Sequence, residues 1–204
     1  MKHAIRQQGF TIVELLIVIV VIGILAAITI VAYSGIQQRA NNTAKYQAAA
    51  TYEKTIQLYV ADKGNMPPMT AGSACLGKGY SIRGEDTVGS CGGPDYSVKE
   101  DPIFDAALQT ILGAIPQANN KVVTKEDGVS FVGVTLTRGS FMLDGEPLEY
   151  IMQFVLEGRD QDCKVPGVVE MRAGSWGDFT PVRSQKNTFY DSRSTTCVIA
   201  VPNE

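Results

Sequence analysis

Residues 9–33 read GFTIVELLIVIVVIGILAAITIVAY, and the reading of this stretch decides the architecture. From Leu15 to Tyr33 the run is almost unbroken in its apolar character, whereas everything after Ser34 is of mixed polarity. These 19 residues make about 28 Å of helix at roughly 1.5 Å per residue. That nearly crosses a hydrocarbon core of roughly 30 Å. A secretory signal peptide has a short apolar region followed by a small-residue cleavage site. Here the order is reversed: a polar leader, MKHAIRQQG, ends in Gly9 before the run begins. The segment therefore reads as a membrane span that stays with the protein.

The rest of the composition is ordinary. Of 204 residues 45% are hydrophobic, and the net charge of −3 gives no bulk attraction to nucleic acid. A cut after Gly9 would remove Lys2 and Arg6 and make the chain more acidic still. Lys2 and Arg6 favour a cytoplasmic leader, while Arg39 and Lys45 flank the other end of the span. The cysteines break the tie. There are four, widely spaced and downstream of the span, with no C-x-x-C pair, and they read as two disulfides in an oxidising compartment. Zinc spacing is absent, and the one histidine, His3, lies in the leader.

Glu14 is the anomaly in the run. A charge deep in a bilayer costs roughly 2.5–3.5 kcal/mol on insertion scales, and less near the interface. At a helix N-terminus the dipole favours a glutamate by a few tenths of a kcal/mol, which accounts for it in a monomer. Cleavage between Gly9 and Phe10 would create an α-amino group one helical turn before Glu14, and no cation lies within the apolar stretch. A pair between that amine and Glu14, within a chain or between chains, would remove two unmet charges in a low dielectric. Between chains it would also fix axial stagger, because an unpaired buried charge penalises wrong registers.

At these residues, Gly9 to Ile28, the sequence resembles the N-terminal signature of type IV pilins and pseudopilins. The resemblance implies cleavage after Gly9 by a membrane prepilin peptidase, N-methylation of Phe10, and a contact from Glu14 to the N-terminus of an adjacent subunit. It also implies identical or related pilin subunits as partners in a helical polymer, and an inner-membrane assembly platform with its ATPase. Lipid surrounds the span before assembly; the cell surface is the destination. The short leader and Phe10 as the new first residue are similar to the type IVa subgroup. Pilins of this kind often carry a proline where Val31 stands, and proline would remove a backbone hydrogen bond and loosen the helix. The resemblance does not extend to a local melting there.

The helical pattern continues past Tyr33. No proline occurs before Pro67, and Tyr46, Ala49, Tyr52, Ile56, Tyr59 and Val60 recur at spacings of three and four, one apolar stripe on a polar helix. Gly64-Asn65-Met66-Pro67-Pro68 ends it. The expected organisation is a leader over 1–9, a membrane or filament-core half of a stem helix over 10–33, an amphipathic half over 34–63, and a head over 64–204. Within the head, residues 69–100 read as a long cysteine-stapled loop. Asp101-Pro102 opens a short amphipathic helix that ends near Gly113 to Pro116. Strand patterns follow at 129–137, around 150–156 after an Asp144-Gly145 turn, and at 196–201. The fold class is α+β: a long N-terminal stem helix packed on a C-terminal antiparallel sheet of three to five strands, with an additional short helix.

Four cysteines allow three pairings. The sequential one, Cys75 with Cys91 and Cys163 with Cys197, closes the shortest loops and is favoured. Chain entropy gives roughly 3 kcal/mol for the first and somewhat under 4 kcal/mol for the second. The second resembles the C-terminal disulfide-bounded region of type IVa pilins.

No catalytic constellation is present. Without His3 the chain has no histidine, and the phosphate-binding and nucleophile-elbow motifs are missing. Neither a cofactor nor a metal is called for. Glu157, Asp160 and Asp162 could be weighed as calcium ligands but lack EF-hand spacing. Arg172, Arg183, Lys186 and Arg193 with Trp176, Phe179 and Tyr190 give a mild basic-aromatic character of the kind that binds nucleic acid, diluted by Asp178 and Asp191; a solvated surface is the expectation. The functional reading is a structural pilin, a non-enzyme. The alternatives are a pseudopilin of a type II secretion or DNA-uptake system, where two disulfides and a large head argue against a small major pseudopilin, and a non-polymerising membrane-anchored binding module. The anchored module would need neither the Gly9-Phe10 junction nor Glu14.

Overall fold

A computed structural model of the protein describes residues 11–83, 87–93, 95, 97–116, 121–172, 175–181 and 189–202, without the side chains of 31, 32, 189 and 190. Helix α1 runs from Ile12 to Lys63, 52 residues without a break. Residues up to Ala40 form one unit, and Asn41 onward form a second.

In the first unit the apolar side chains of the helix are exposed. Leu15, Val18, Ile22, Leu25 and Ile30 are each about half exposed or more. By length and composition it is the one helix among the described residues able to cross a membrane. An apolar surface on all sides of a helix calls for an apolar solvent or for other helices.

The second unit starts with the continuation of α1. Ala49, Tyr52, Ile56 and Val60, at helical spacing, turn into the main core, Tyr46 packs at its margin, and Tyr59 is half-buried. The helix stops where the breaker cluster begins, with the Gly64 N–H donating to the Val60 carbonyl at 2.7 Å. Three short strands follow, β1 (Ser73–Leu76), β2 (Ser90–Gly92) and β3 (Val98–Glu100), in the region expected to be loop. Most of their residues (Ser, Ala, Gly, Lys and Glu) have low strand propensity, so the strands exist through pairing rather than propensity. Strand β1 pairs parallel with β3, and β3 pairs antiparallel with β2. Helix α2 (Pro102–Leu112) forms as expected: Asp101 Oδ1 accepts from the amides of Ile103 and Phe104, and its Oδ2 ties back to Thr70. A cap of this kind contributes about 1 kcal/mol.

Then come β4 (Val123–Thr124), β5 (Ser130–Phe131), β6 (Val134–Leu143), β7 (Glu146–Glu157), β8 (Val168–Met171), β9 (Asp178–Pro181), β10 (Phe189–Tyr190) and β11 (Ser194–Val201). Strands β6 and β7 form a hairpin through Asp144 and Gly145, both at positive φ (54° and 90°), the two-residue turn that matches strand twist. Among the described residues nine strands make one sheet and β4–β5 a second, more than the three to five expected. The pairing is mostly antiparallel, but β1–β3 and β6–β9 are parallel.

The sheet also closes on itself. Strand β7 lies between β6 and β11; β11 pairs with β8, β8 with β9, and β9 returns to the tip of β6 at Met142 and Leu143. Both faces of β7 are therefore covered. Tyr150, Met152, Phe154 and Leu156 pack towards α1. Ile151 faces a second, smaller core that draws Phe141, Leu148, Val169, Phe179, Val198 and Ala200 from all five strands of the ring. Closure of this kind leaves those strands without open edges.

The disulfides are Cys75–Cys91 and Cys163–Cys197, with Cα separations of 5.7 and 5.8 Å. All four cysteines are fully buried.

Polar groups also reach the core. Past Phe154, strand β6 no longer accompanies β7, and side chains of α1 take its place. Asn42 exchanges two 2.9 Å hydrogen bonds with the Glu157 backbone, and Lys45 Nζ donates to the Val155 carbonyl at 2.9 Å. Burial pushes Lys45 down to about 7, against the pull of Glu157 and with help from Lys121. Burial pushes Glu53 up to about 7. It also pushes Asp105 up to about 6: that carboxyl makes no well-formed hydrogen bond, and the Gly77 amide and Lys78 offset its burial only in part.

These three groups give a stability profile with a dip. Glu53 and Asp105 bind protons more tightly folded than unfolded, so their contribution falls as pH rises from their ordinary values of 4.5 and 3.8 towards about 7 and 6. Lys45 binds its proton less tightly when folded, so stability rises again between about 7 and its ordinary 10.5. The melting temperature of the head is expected to be lower near pH 7 than at pH 5 or 9.5. Glu53→Gln and Asp105→Asn should each flatten the acidic limb, and Lys45→Met the alkaline one. A wild-type profile flat through neutrality would contradict this.

Candidate functional site: the stem N-terminus

Gly9 and Phe10, the expected cleavage junction and methylation site, lie outside the described residues. The description starts at Thr11, and there the chain builds a reciprocal cap. Thr11 Oγ1 accepts from the Glu14 amide at 3.2 Å, while Glu14 Oε2 accepts from both the amide and the hydroxyl of Thr11 at 2.8 Å. Thr-x-x-Glu at the mouth of an apolar helix is a capping box, which satisfies amides that the first turn leaves without intrahelical partners. The motif was present in the sequence as Thr11-Ile12-Val13-Glu14; reading Glu14 only as a charge passed over Thr11.

Both side chains are exposed, as is the apolar surface beyond them. Glu14 is the only charged residue between Arg6 and Arg39. The arrangement thus offers one carboxylate, held from one side by its own chain, at the rim of a long apolar rod. It can accept a further donor.

The other candidates are not assembled in this way. Phe179 is fully buried against Phe141 and cannot stack on a base. Arg172 is held by Asp144 at 3.2 Å and by Asp178 at 3.6 Å. Trp176 is exposed, edge-on to Phe179. Arg183 and Lys186 lie outside the described residues, as does the side chain of Tyr190. Among the described residues no group of three or more acids, histidines or cysteines could hold a metal, Glu157, Asp160 and Asp162 included.

A match to a known family falls on the same end of the chain. Residues 5–30 match the prokaryotic N-terminal methylation motif. The chain is 37% identical over 79 residues, 39% of its length, to the fimbrial protein EcpC of Eikenella corrodens, of which 50% is covered. It is 35% identical over 68 residues to prepilin peptidase-dependent protein D of Escherichia coli strain K12, covering 33% of this chain and 47% of that one. It is 29% identical over 73 residues to type II secretion system core protein G of Dickeya chrysanthemi, covering 36% and 48%. The chain spans about half the length of each of these relatives. No solved structure matches it. The chain thus carries the prokaryotic N-terminal methylation motif at the start of a capped apolar helix, and over a third or more of its length it is similar to a fimbrial protein and a prepilin peptidase-dependent protein.

Proposed function

We propose that this chain is the precursor of a structural, non-catalytic subunit of a type IV pilus-like filament. A prepilin peptidase cuts after Gly9 and Phe10 is N-methylated. Residues 10–33 hold the subunit in the cytoplasmic membrane with the head outside, 34–63 carry the head over 64–204, and an assembly platform with its ATPase draws the stem from lipid into the filament. The observation that carries the reading is an apolar helix exposed on every side with a single carboxylate at its mouth. Lipid and neighbouring helices are both apolar, so the transfer is nearly balanced, and close packing with charge pairing tips it. Glu14 paired with the amine of a neighbouring Phe10 supplies the pairing.

The test compares Glu14→Gln with the parent by intact mass and N-terminal sequencing of membranes and of sheared surface filaments. Both chains are expected to begin at methylated Phe10 in membranes, with filament yield at least tenfold lower for the variant. Protein still beginning at Met1, or equal yields, would sink the proposal. The similarity to type II secretion system core protein G supports a pseudopilin as the second reading; it predicts short fibres retained within the envelope rather than on the surface.

A further inference from the structure

Helix α2 carries its charge on the buried side. Asp105 is its one charged residue and is fully buried beside Phe104 and Leu108, while Ile103, Ala106, Gln109 and Thr110 face solvent. Neither oxygen of the Asp105 carboxyl has a well-formed hydrogen bond. An alanine there would complete an ordinary amphipathic helix without taking a carboxylate out of water. The surroundings suit one form of that carboxyl. Tyr52 of α1 and Tyr80, both buried, meet at Gly77: a Cβ on that glycine would stand 2.9 Å from one hydroxyl and 2.8 Å from the other. Gly77 also turns its amide towards Asp105. Both tyrosine protons are already spent, since Tyr80 donates to the Leu76 carbonyl at 2.8 Å and Tyr52 to the Pro116 carbonyl. Lone pairs are what the two hydroxyls have left. Of the charges within reach, Lys78 favours the ionised carboxyl, whereas Glu100 of β3 and Asp101 at the cap oppose it. A carboxylate only accepts and meets mainly acceptors; a carboxylic acid brings an O–H to donate.

We propose that α2 is a proton-held flap on the head: protonated Asp105 seats the helix, and ionisation of that carboxyl loosens α2 without unfolding the sheet. The helix is built to move alone. Its fully buried apolar side chains are Phe104 and Leu108, and its first turn is moored by the two hydrogen bonds from Thr70 to Asp101. Segments held by few buried apolar groups open more readily than the core. Burial holds the docked carboxyl up at about 6, against an ordinary 3.8. Docking is therefore fully favoured below pH 3.8, weakens as pH rises towards about 6, and levels off above that. Each opening uncovers Phe104 and Leu108.

The experiment follows hydrogen exchange of the full chain in detergent micelles at pH 4.5 and 7.5, comparing peptides that cover α2 and β11 after correction for intrinsic rates. The variants are Asp105→Asn and Asp105→Leu, two ways to remove the titration so that one folded variant suffices, with Glu53→Gln as the control. In the parent the opening constant of α2 is expected to rise about 25-fold between the two pH values, as a carboxyl moving from 3.8 to about 6 requires, with α2 opening more often than β11 throughout. Asp105→Asn or Asp105→Leu should change less than about twofold, and Glu53→Gln should keep the parent's rise. A flat parent profile overturns the proposal, as does a rise that survives removal of Asp105. Equal opening constants for α2 and β11 also overturn it, because the helix would then leave only when the whole head unfolds. So does a rise abolished by added calcium chloride, since a cation rather than a proton would then seat the helix.

Discussion

Replacing Cys163 and Cys197 together by alanine is expected to lower the stability of the head by about 4 kcal/mol, read as a shift of the denaturant midpoint in detergent. The bond spans 34 residues, and the chain-entropy estimate for a loop of that length is somewhat under 4 kcal/mol. Position adds to length. Cys197 sits on β11 opposite Phe154 of β7, and Cys163 lies in the same core as Phe154, Leu156 and Ile199. The bond therefore holds the connection between β7 and β8 against the strand that both cores share. Cys75–Cys91 spans only 16 residues at the side of the sheet, and its loss should cost about 3 kcal/mol. A smaller effect for the Cys163 and Cys197 pair than for the other would contradict this ranking.

Gly133→Ala should cost about 2–5 kcal/mol, from two penalties that add. Gly133 joins β5 to β6 at φ +74°, where an L side chain is strained by about 1–2 kcal/mol. Its missing Cβ would stand 2.6 Å from Tyr80 Cζ and 2.7 Å from Tyr80 Oη. Tyr80 cannot swing aside: it is fully buried, and its hydroxyl donates to the Leu76 carbonyl at 2.8 Å. Overpacking of that kind costs about 1–3 kcal/mol more. Gly128 supplies the control, since its φ is +86° but nothing lies within 4 Å of its Cβ position. Gly128→Ala should show the first penalty alone, so equal effects at the two sites would remove the steric half of the argument.

Features governed by local chemistry were legible in the sequence. The stripe of Ala49, Tyr52, Ile56 and Val60, the Asp101 cap of α2 and the Asp144-Gly145 turn each follow from a period or a dihedral preference, and each stands in the structure. Features made by distant partners were not legible. Strands β1 to β3 are written mostly in residues of low strand propensity, and β8 and β9 in a stretch rich in Gly, Pro and Arg; pairing defines both groups. The apolar residues of β7 alternate, yet no periodicity says that Ile151 is roofed by strands that leave the sheet and return. Lys45 shows the limit most clearly. A lysine on a polar helix reads as solvated, and only the short reach of β6 beside β7 explains why this one is buried. At the stem N-terminus the candidate acid was legible as a charge out of place, while its threonine partner required reading Glu14 as part of a cap.

The central position of β11 sets a timetable for biosynthesis. Tyr52 and Ile56 pack beneath a sheet that is complete only when residues 194–201 arrive. Val201 is translated 138 residues after Lys63, an interval on the order of ten seconds at ribosomal speeds of about 5–20 residues per second. During that interval the ridge gains its cover in stages: α2 and the β6–β7 hairpin are made by residue 157, and Ile199 and Val201 of β11 complete the core last.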